Sequence, residues 1–402
     1  SGTYKYKVTF LYDDYLSESE PCDEEISANA SNHDYIALTD IPTGAGDVKK
    51  RKIYRTEDGG SVYYLLTTIN DNTTTTYNDS TPDAQLGTDN PPVDAGIPPV
   101  CKYMCVKENR LIFAGNPSNP DYVYYSEILE PEVVKSTSLV KITTEGDDVI
   151  TGIVNFQDNV IVFKKNSIWA LLGSPSSWVK RNLHSSLGCA APGSIQVTEN
   201  KIIFLGTYKG KVEGVFSYDG AVFRRESDNI PDQIDDINTS YFDNICSSYY
   251  DKKYKISVTT SSGGGSVNDK TYQCTWVKTE FGEYPAWTIF SYGVNVFAAR
   301  DADEYAGSAE ENYCWKMHSG NSDRGLALVT KWQSGDLDFG MPNVTKDFRE
   351  FSFDAYLPEG TLTLTFSVDN DRITKQKQIK TGTGEDGFYR KRFSLPFGLV
   401  GK

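Results

Sequence analysis

Residues Glu108–Ile128 read ENRLIFAGNPSNPDYVYYSEI. An acid–Asn turn opens the stretch and an apolar strand follows. A Gly/Asn/Pro/Ser loop then breaks the chain before a Tyr-rich strand returns. The opening recurs. Glu108-Asn109-Arg110-Leu111-Ile112-Phe113 is echoed by Asp158-Asn159-Val160-Ile161-Val162-Phe163 and by Glu199-Asn200-Lys201-Ile202-Ile203-Phe204, so Asn109, Asn159 and Asn200 stand 50 and 41 residues apart. Weaker copies are Asp251-Lys252-Lys253-Tyr254-Lys255-Ile256-Ser257-Val258 and Gly293-Val294-Asn295-Val296-Phe297. Each has an aromatic-bearing follower: Val123 to Tyr125, Ile168 to Leu171, Val215 to Tyr218, Cys274 to Val277, and Tyr313 to Lys316. A period of about 40–50 residues in strand-rich sequence marks propeller blades, because one four-stranded blade cannot bury both its faces and a ring of them can. Helical solenoids share such periods, but the 3.6-residue pattern is missing. The expectation is an all-β chain with a β-propeller of about five blades over residues 93–340, completed by a strand from outside the repeats, and flanked by β-sandwich-like modules.

Composition agrees. Aromatic residues make up 13% of the 402, and 26 of them are Tyr, which suits pleated, half-buried surfaces. That length allows two to four domains. No apolar run approaches the roughly 20 residues of a membrane helix, so no membrane partner is expected. The net charge of −15 argues against gripping a phosphate backbone. It is unevenly spread. Residues 341–402 hold ten Lys/Arg against eight Asp/Glu, or +2, leaving −17 on the rest. Seven cysteines without close pairing read as free, mostly buried thiols of a reducing compartment. Cys101 and Cys105, if both on one strand, would share a face about 13 Å apart, too far for a disulfide or a shared metal.

Residues 1–92 read as a fibronectin III/Ig-like sandwich module. Tyr4, Tyr6, Val8 and Phe10 alternate with Lys5, Lys7 and Thr9. Lys52 to Thr56 leads through Glu57-Asp58-Gly59-Gly60 into Ser61 to Leu66, a hairpin. Thr73 to Tyr77 is a further β-prone run, closed by Asn78-Asp79. This segment resembles the fibronectin type III-like modules of tailed-phage structural proteins through Gly2 to Val8, Glu18-Ser19-Glu20-Pro21, and Ile53-Tyr54-Arg55-Thr56 through Tyr77-Asn78-Asp79. In such modules the G-x-Y-x-Y-x-V strand lies near the end. Here it comes first, so the module is either permuted or the chain begins inside a longer protein, the reading favoured here. Thr88 to Pro99 is a Pro/Gly/Asp linker. Residues 341–402 form a small C-terminal β module, expected to be cut short at its end. In it Phe351, Phe353, Ala355 and Leu357 alternate, as do Leu362, Leu364, Phe366 and Val368.

No stretch carries a convincing catalytic or ligand motif, and no catalytic, cofactor or metal residue is assigned. Gly382-Thr383-Gly384-Glu385-Asp386-Gly387 spells G-x-G-x-x-G, but strands flank it and its two acids would repel phosphate. Asp338-Phe339-Gly340 lacks every other kinase element. His33, His184 and His318 have no second ligand at metal spacing. The pairs Asp235-Asp236, Asp301/Asp303 and Asp369/Asp371 read as turns, and Asp301 to Tyr305 lacks the EF-loop Gly and Glu. Arg390-Lys391-Arg392 with Lys375, Lys377 and Lys380 is read as a solvated strand edge, or else a docking face for an acidic neighbour.

The repeat region is similar to the β-propeller of tailed-phage neck and tail proteins, the group with nozzle (tail tubular B-like) and packaged-DNA-stabilisation proteins. The likeness rests on Asn109 to Pro117 with Val123 to Glu127, on Asn159 to Phe163 leading into Ser167 to Leu171, and on Trp332 to Gly340 followed by Lys346 to Arg349. The resemblance implies a non-enzymatic virion component, made in the bacterial host cytoplasm. It would join a ring homo-oligomer, a hexamer by family analogy, beside portal, adaptor or other tail proteins. Phage DNA would be passing cargo. Two alternatives stand: a tail module recognising a host glycan or protein through Trp169, Trp276 and Trp287, and a propeller glycoside hydrolase.

Overall fold

The computed structural model describes residues 2–12, 17–22, 26–30, 35–94, 96–143, 148–280, 282–317, 319, 331, 344–356, 361–368, 373–380 and 388–401. Strands dominate, in small antiparallel sheets. The chain divides into two compact units, Ser1–Met317 and His318–Lys402. The expected boundary near residue 340 lies outside the described residues.

The first strands are β1 (Gly2–Tyr12), β2 (Ser17–Glu18), β3 (Ile26–Ala30), β4 (Ile36–Leu38), β5 (Val48–Thr56), β6 (Tyr63–Ile69) and β7 (Tyr77–Asp79). β1 is long enough to pair with β3 along its first half, β2 at its end and β5 along most of its length, and β6 extends the sheet. β4 pairs with β7. Between them Tyr6, Val8, Ile41, Ile53 and Ile69 form a core. The β-prone run from Thr73 differs from expectation. The Asp71 carboxylate accepts from the N–H groups of Thr73 (2.8 Å) and Thr74 (2.7 Å), so the chain turns there and the strand begins only at Tyr77.

Sheet I follows the linker and contains β8 (Tyr103–Lys107), β9 (Arg110–Ala114), β10 (Tyr122–Tyr125) and β11 (Leu139–Lys141). Sheet II has β12 (Ile150–Phe156), β13 (Asn159–Lys164), β14 (Ile168–Leu172) and β15 (Val179–His184). Sheet III has β16 (Gln196–Val197), β17 (Ile202–Tyr208), β18 (Lys211–Tyr218) and β19 (Phe223–Arg225). The short helix α1 (Pro231–Asp235) precedes sheet IV, which has β20 (Cys246–Tyr250), β21 (Lys253–Val258), β22 (Lys270–Thr279) and β23 (Gly282–Phe290). Sheet V has β24 (Val294–Arg300), β25 (Asp303–Ser308) and β26 (Cys314–Lys316). All five are meanders in chain order.

The recurrent turn joins the first two strands of a sheet. Glu108 and Asn109 (φ 51 and 56), Gln157 and Asp158 (48 and 59), and Asp251 and Lys252 (48 and 58) are left-handed pairs, the geometry that suits a two-residue hairpin to strand twist. Structure thus aligns Gln157-Asp158 with Glu108-Asn109, one residue off the sequence match. Glu199-Asn200 differs. There the Thr198 hydroxyl accepts from Lys201 N–H at 3.0 Å, closing a wider turn without left-handed residues. The fifth copy is also displaced. Gly293 to Phe297 enters a first strand, and the equivalent turn is Asp301-Ala302, leading into β25.

Period-two alternation explains the stacking. In β13, Val160 and Val162 face sheet I with Ile112, Ala114 and Val123, while Ile161 and Phe163 face sheet III with Ile202 and Phe204. In β17, Ile203 and Leu205 face sheet IV with Tyr254, Ile256 and Val258. A strand buried on both faces needs a continuous apolar run, which is why these segments read NVIVF and IIFL. The first strands of neighbouring sheets approach one another. Asn155 Nδ2 in β12 donates to Val106 O in β8 (2.9 Å), and Gln196 Nε2 in β16 donates to Ser247 O in β20 (3.0 Å).

In the second unit β27 (Lys346–Tyr356) pairs with β30 (Phe388–Gly401), and β28 (Thr361–Val368) with β29 (Ile373–Lys380).

Candidate functional site

The interface between sheets IV and V departs from the other three. On β21 the residues facing onward are Lys255 and Ser257, where β13 and β17 carry Ile161, Phe163, Ile203 and Leu205. Lys255 Nζ donates to Glu304 Oε2 on β25, and both side chains are 0% exposed. Ser248 Oγ donates to the other oxygen of Glu304 at 2.6 Å. Burial pulls the Lys255 ammonium pKa below its ordinary value, against the opposing pull of Glu304. Beside the pair, three side chains of this region hold the backbone of Val294: Ser257 Oγ accepts from its N–H (2.8 Å), while Asn268 Nδ2 (2.8 Å) and Cys246 Sγ (3.1 Å) donate to its carbonyl. Gly293 is required here, since a Cβ would lie 1.6 Å from Asn268 O.

A second polar cluster joins sheets III and IV at the edge of their apolar core. Glu226 Oε1 accepts from Ser217 Oγ (2.6 Å), and Oε2 accepts from Trp276 Nε1 (3.0 Å). Trp287 Nε1 donates to the Glu226 backbone carbonyl at 2.7 Å. Lys201 Nζ lies 3.5 Å above the Trp276 ring and 3.8 Å from Glu226 Oε1, and burial lowers its pKa. One face of Trp276 is therefore covered by an ammonium group. Trp169 stands apart, packed on the core between sheets I and II, with its indole N–H donating to Ser167 Oγ at 3.1 Å.

The third cluster lies in the first module. Arg55 donates to Asp79 Oδ2 (2.8 Å), Asp83 Oδ1 (2.6 Å) and Thr81 O (2.7 Å), and Tyr6 OH donates to Asp79 Oδ2 (2.7 Å). These bonds fasten β7 and the residues after it to the main sheet. In all three clusters the carboxylates accept hydrogen bonds from fixed protein donors. These bonds tie neighbouring strands and sheets to one another.

The residues singled out in sequence distribute as follows. His184 Nδ1 accepts from Ser186 N–H (3.2 Å), and its ring meets Phe223 edge-on. Asp236 binds Ser262 N–H (2.9 Å) and Oγ, and Asp235 ends α1. Asp303 accepts from Lys316 (2.6 Å) while Glu304 faces Lys255, so those carboxylates diverge. Among the described residues no three His, Cys, Asp or Glu converge as metal ligands, and no helix is long and apolar enough to cross a membrane. Cys101 and Cys105 do not share a face. Cys101 precedes β8 and packs beside Phe113 and Tyr124, whereas Cys105 packs toward Ile112 on the other side. None of the seven cysteines is in a disulfide; Cys189 and Cys274 are buried, Cys314 is exposed, and the others are half-buried, fewer buried than expected. Lys375, Lys377 and Lys380 lie on β29 and Arg390-Lys391-Arg392 on β30, in two separate ladders. His33, His318, Asp338 to Gly340, Asp369/Asp371 and Gly382 to Gly387 lie outside the described residues. Glu226, Lys201, Lys255 and Glu304 were missed in the sequence. A lysine and a glutamate interrupting otherwise apolar strand faces were the available signal.

No family model and no curated protein matches the chain. Among solved structures it is similar to a candidate 6-phosphogluconolactonase of Bacteroides fragilis (8% identity, 82% of this chain and 93% of that one, TM-score 0.35). It is also similar to a chain from S. cerevisiae Dbp5 bound to Nup159 and Gle1 (8% identity, 75% and 76%, TM-score 0.28). A third is the AfRom2 CNH domain (10% identity, 73% and 91%, TM-score 0.31).

Proposed function

We propose that the protein is a non-enzymatic structural component of a tailed-phage virion, a nozzle-like element of the neck or tail, with sheets I to V as successive blades of a β-propeller of about five blades. The observation that carries this reading is the stacking of successive meanders in chain order, with first strands drawn together, as blades meet around a hub. Two of the three stretches that bear the phage-protein likeness fall on hairpins of these sheets: Asn109 to Glu127 spans β9 and β10, and Asn159 to Leu171 spans β13 and β14, while Trp332 to Gly340 of the third lies outside the described residues. Polar clusters that could suggest chemistry are engaged in holding sheets together, which supports a scaffold. Trp276 and Trp287, bonded to Glu226, are used in packing and lend little to sugar stacking.

In this reading the full-length protein assembles as a ring homo-oligomer, a hexamer by family analogy, against portal, adaptor or other tail proteins. It is made in the host cytoplasm and resides in the virion. The acidic surface has a use there, because a like-charged lumen lets DNA slide without sticking. Electron microscopy of the full-length protein mixed with its portal complex tests this. Rings docked on the portal are expected, and monomers that leave the portal bare would overturn the proposal.

A further inference from the structure

We infer that sheet V is a releasable element, which parts from sheet IV as a unit while sheets I to IV remain stacked. The ground is the chemistry of what each parting would expose. Separating sheets II and III would bring Ile161, Phe163, Ile202 and Phe204 into water, all at most 3% exposed. Water offers such groups nothing, so that interface resists opening. Separating sheets IV and V would expose Lys255, Glu304, Ser248, Ser257 and Asn268. Every one of these exchanges a protein hydrogen bond for one to water.

A buried ion pair differs from an apolar contact in a second way. It is directional and adds little net stability once both ions can be solvated, yet it costs heavily if one partner is removed. The Lys255–Glu304 pair and the clasp on Val294 therefore set where sheet V sits more than they set how firmly it is held. The fully buried apolar side chains along this seam, Val294 and Ala306, are small, and the larger ones that cross it, Phe290, Tyr292 and Trp315, are half-buried. Residues 291–293 connect the two sheets, and Tyr292 bridges them through ring contacts with Phe290 at 5.3 Å and Trp315 at 5.5 Å. That stack lies at the connection itself and can act as the pivot.

Two thiols provide a matched comparison. Cys246 sits in the seam between sheets IV and V, and Cys105 packs against the core between sheets I and II. Both are half-buried, and burial pushes each thiol up to about 12. Pulsed alkylation of the full chain with N-ethylmaleimide, read peptide by peptide by mass spectrometry, should modify Cys246 at least about tenfold faster than Cys105 or Cys274. Glu304→Gln removes the carboxylate charge that faces Lys255 and should speed Cys246 further while Cys105 and Cys274 hold their rates. The double variant Lys255→Met with Glu304→Leu makes the seam apolar and should slow Cys246, which keeps the test decisive if the single variant fails to fold. Equal rates for Cys246 and Cys105, or a Cys246 rate that neither variant moves, would overturn the inference. So would acceleration of all three thiols together in Glu304→Gln, because that reports global loosening.

Discussion

The seam between sheets II and III and the seam between sheets IV and V both join successive antiparallel meanders, with opposite chemistry. In the first, Phe163 and Phe204 meet with ring centroids 5.0 Å apart inside a closed apolar cluster. In the second, Lys255 stands at the onward-facing position of β21 and meets Glu304 on β25. Apolar contacts are strong and undirected, so the first seam gains its stability from area removed from water. The ionic seam gains position from its directionality and little net free energy. Stability along this array is thus set interface by interface, with sheet V at the weak end.

The sharpest way to break the comparison is to weaken the dry seam. Phe204→Ala removes a ring that is 0% exposed and leaves a cavity among Phe163, Phe216 and Phe223. Denaturant unfolding should show a loss of about 3–5 kcal/mol. A smaller change is expected when the polar seam is made dry. Lys255→Met with Glu304→Leu should leave stability unchanged or raise it by about 1–4 kcal/mol. A large loss in the double variant would mean that the pair holds the sheets together.

Sheets II and III were legible because strands buried on both faces must be apolar throughout, and Val160 to Phe163 and Ile202 to Leu205 announce this directly. Sheet V was harder. Its second strand begins Asp303-Glu304-Tyr305, and the Glu interrupts the apolar pattern that marks the others, so the repeat is faint there and Gly293 to Phe297 resembles it instead. The partner that makes Glu304 tolerable is 49 residues away, and no local pattern reveals such a pairing. Turn letters misled in a different manner. Glu199-Asn200 repeats the letters of Glu108-Asn109, but the Thr198 hydroxyl closes its own turn and the left-handed pair is not formed. The clip on Trp276 was invisible for the same reason as the ion pair. Glu226 and Lys201 come from other strands and connections, and only the stacking of sheets III and IV brings them to the indole.

Hydrogen exchange followed amide by amide across the full chain measures the account most directly, because it reports the free energy at which each sheet opens. Protection should be greatest in β13 and β17, which are packed in apolar cores on both faces, and β24 to β26 should exchange together at a distinctly lower free energy. A single uniform level of protection from β9 to β26, or a sheet V that outlasts sheet II, would contradict it.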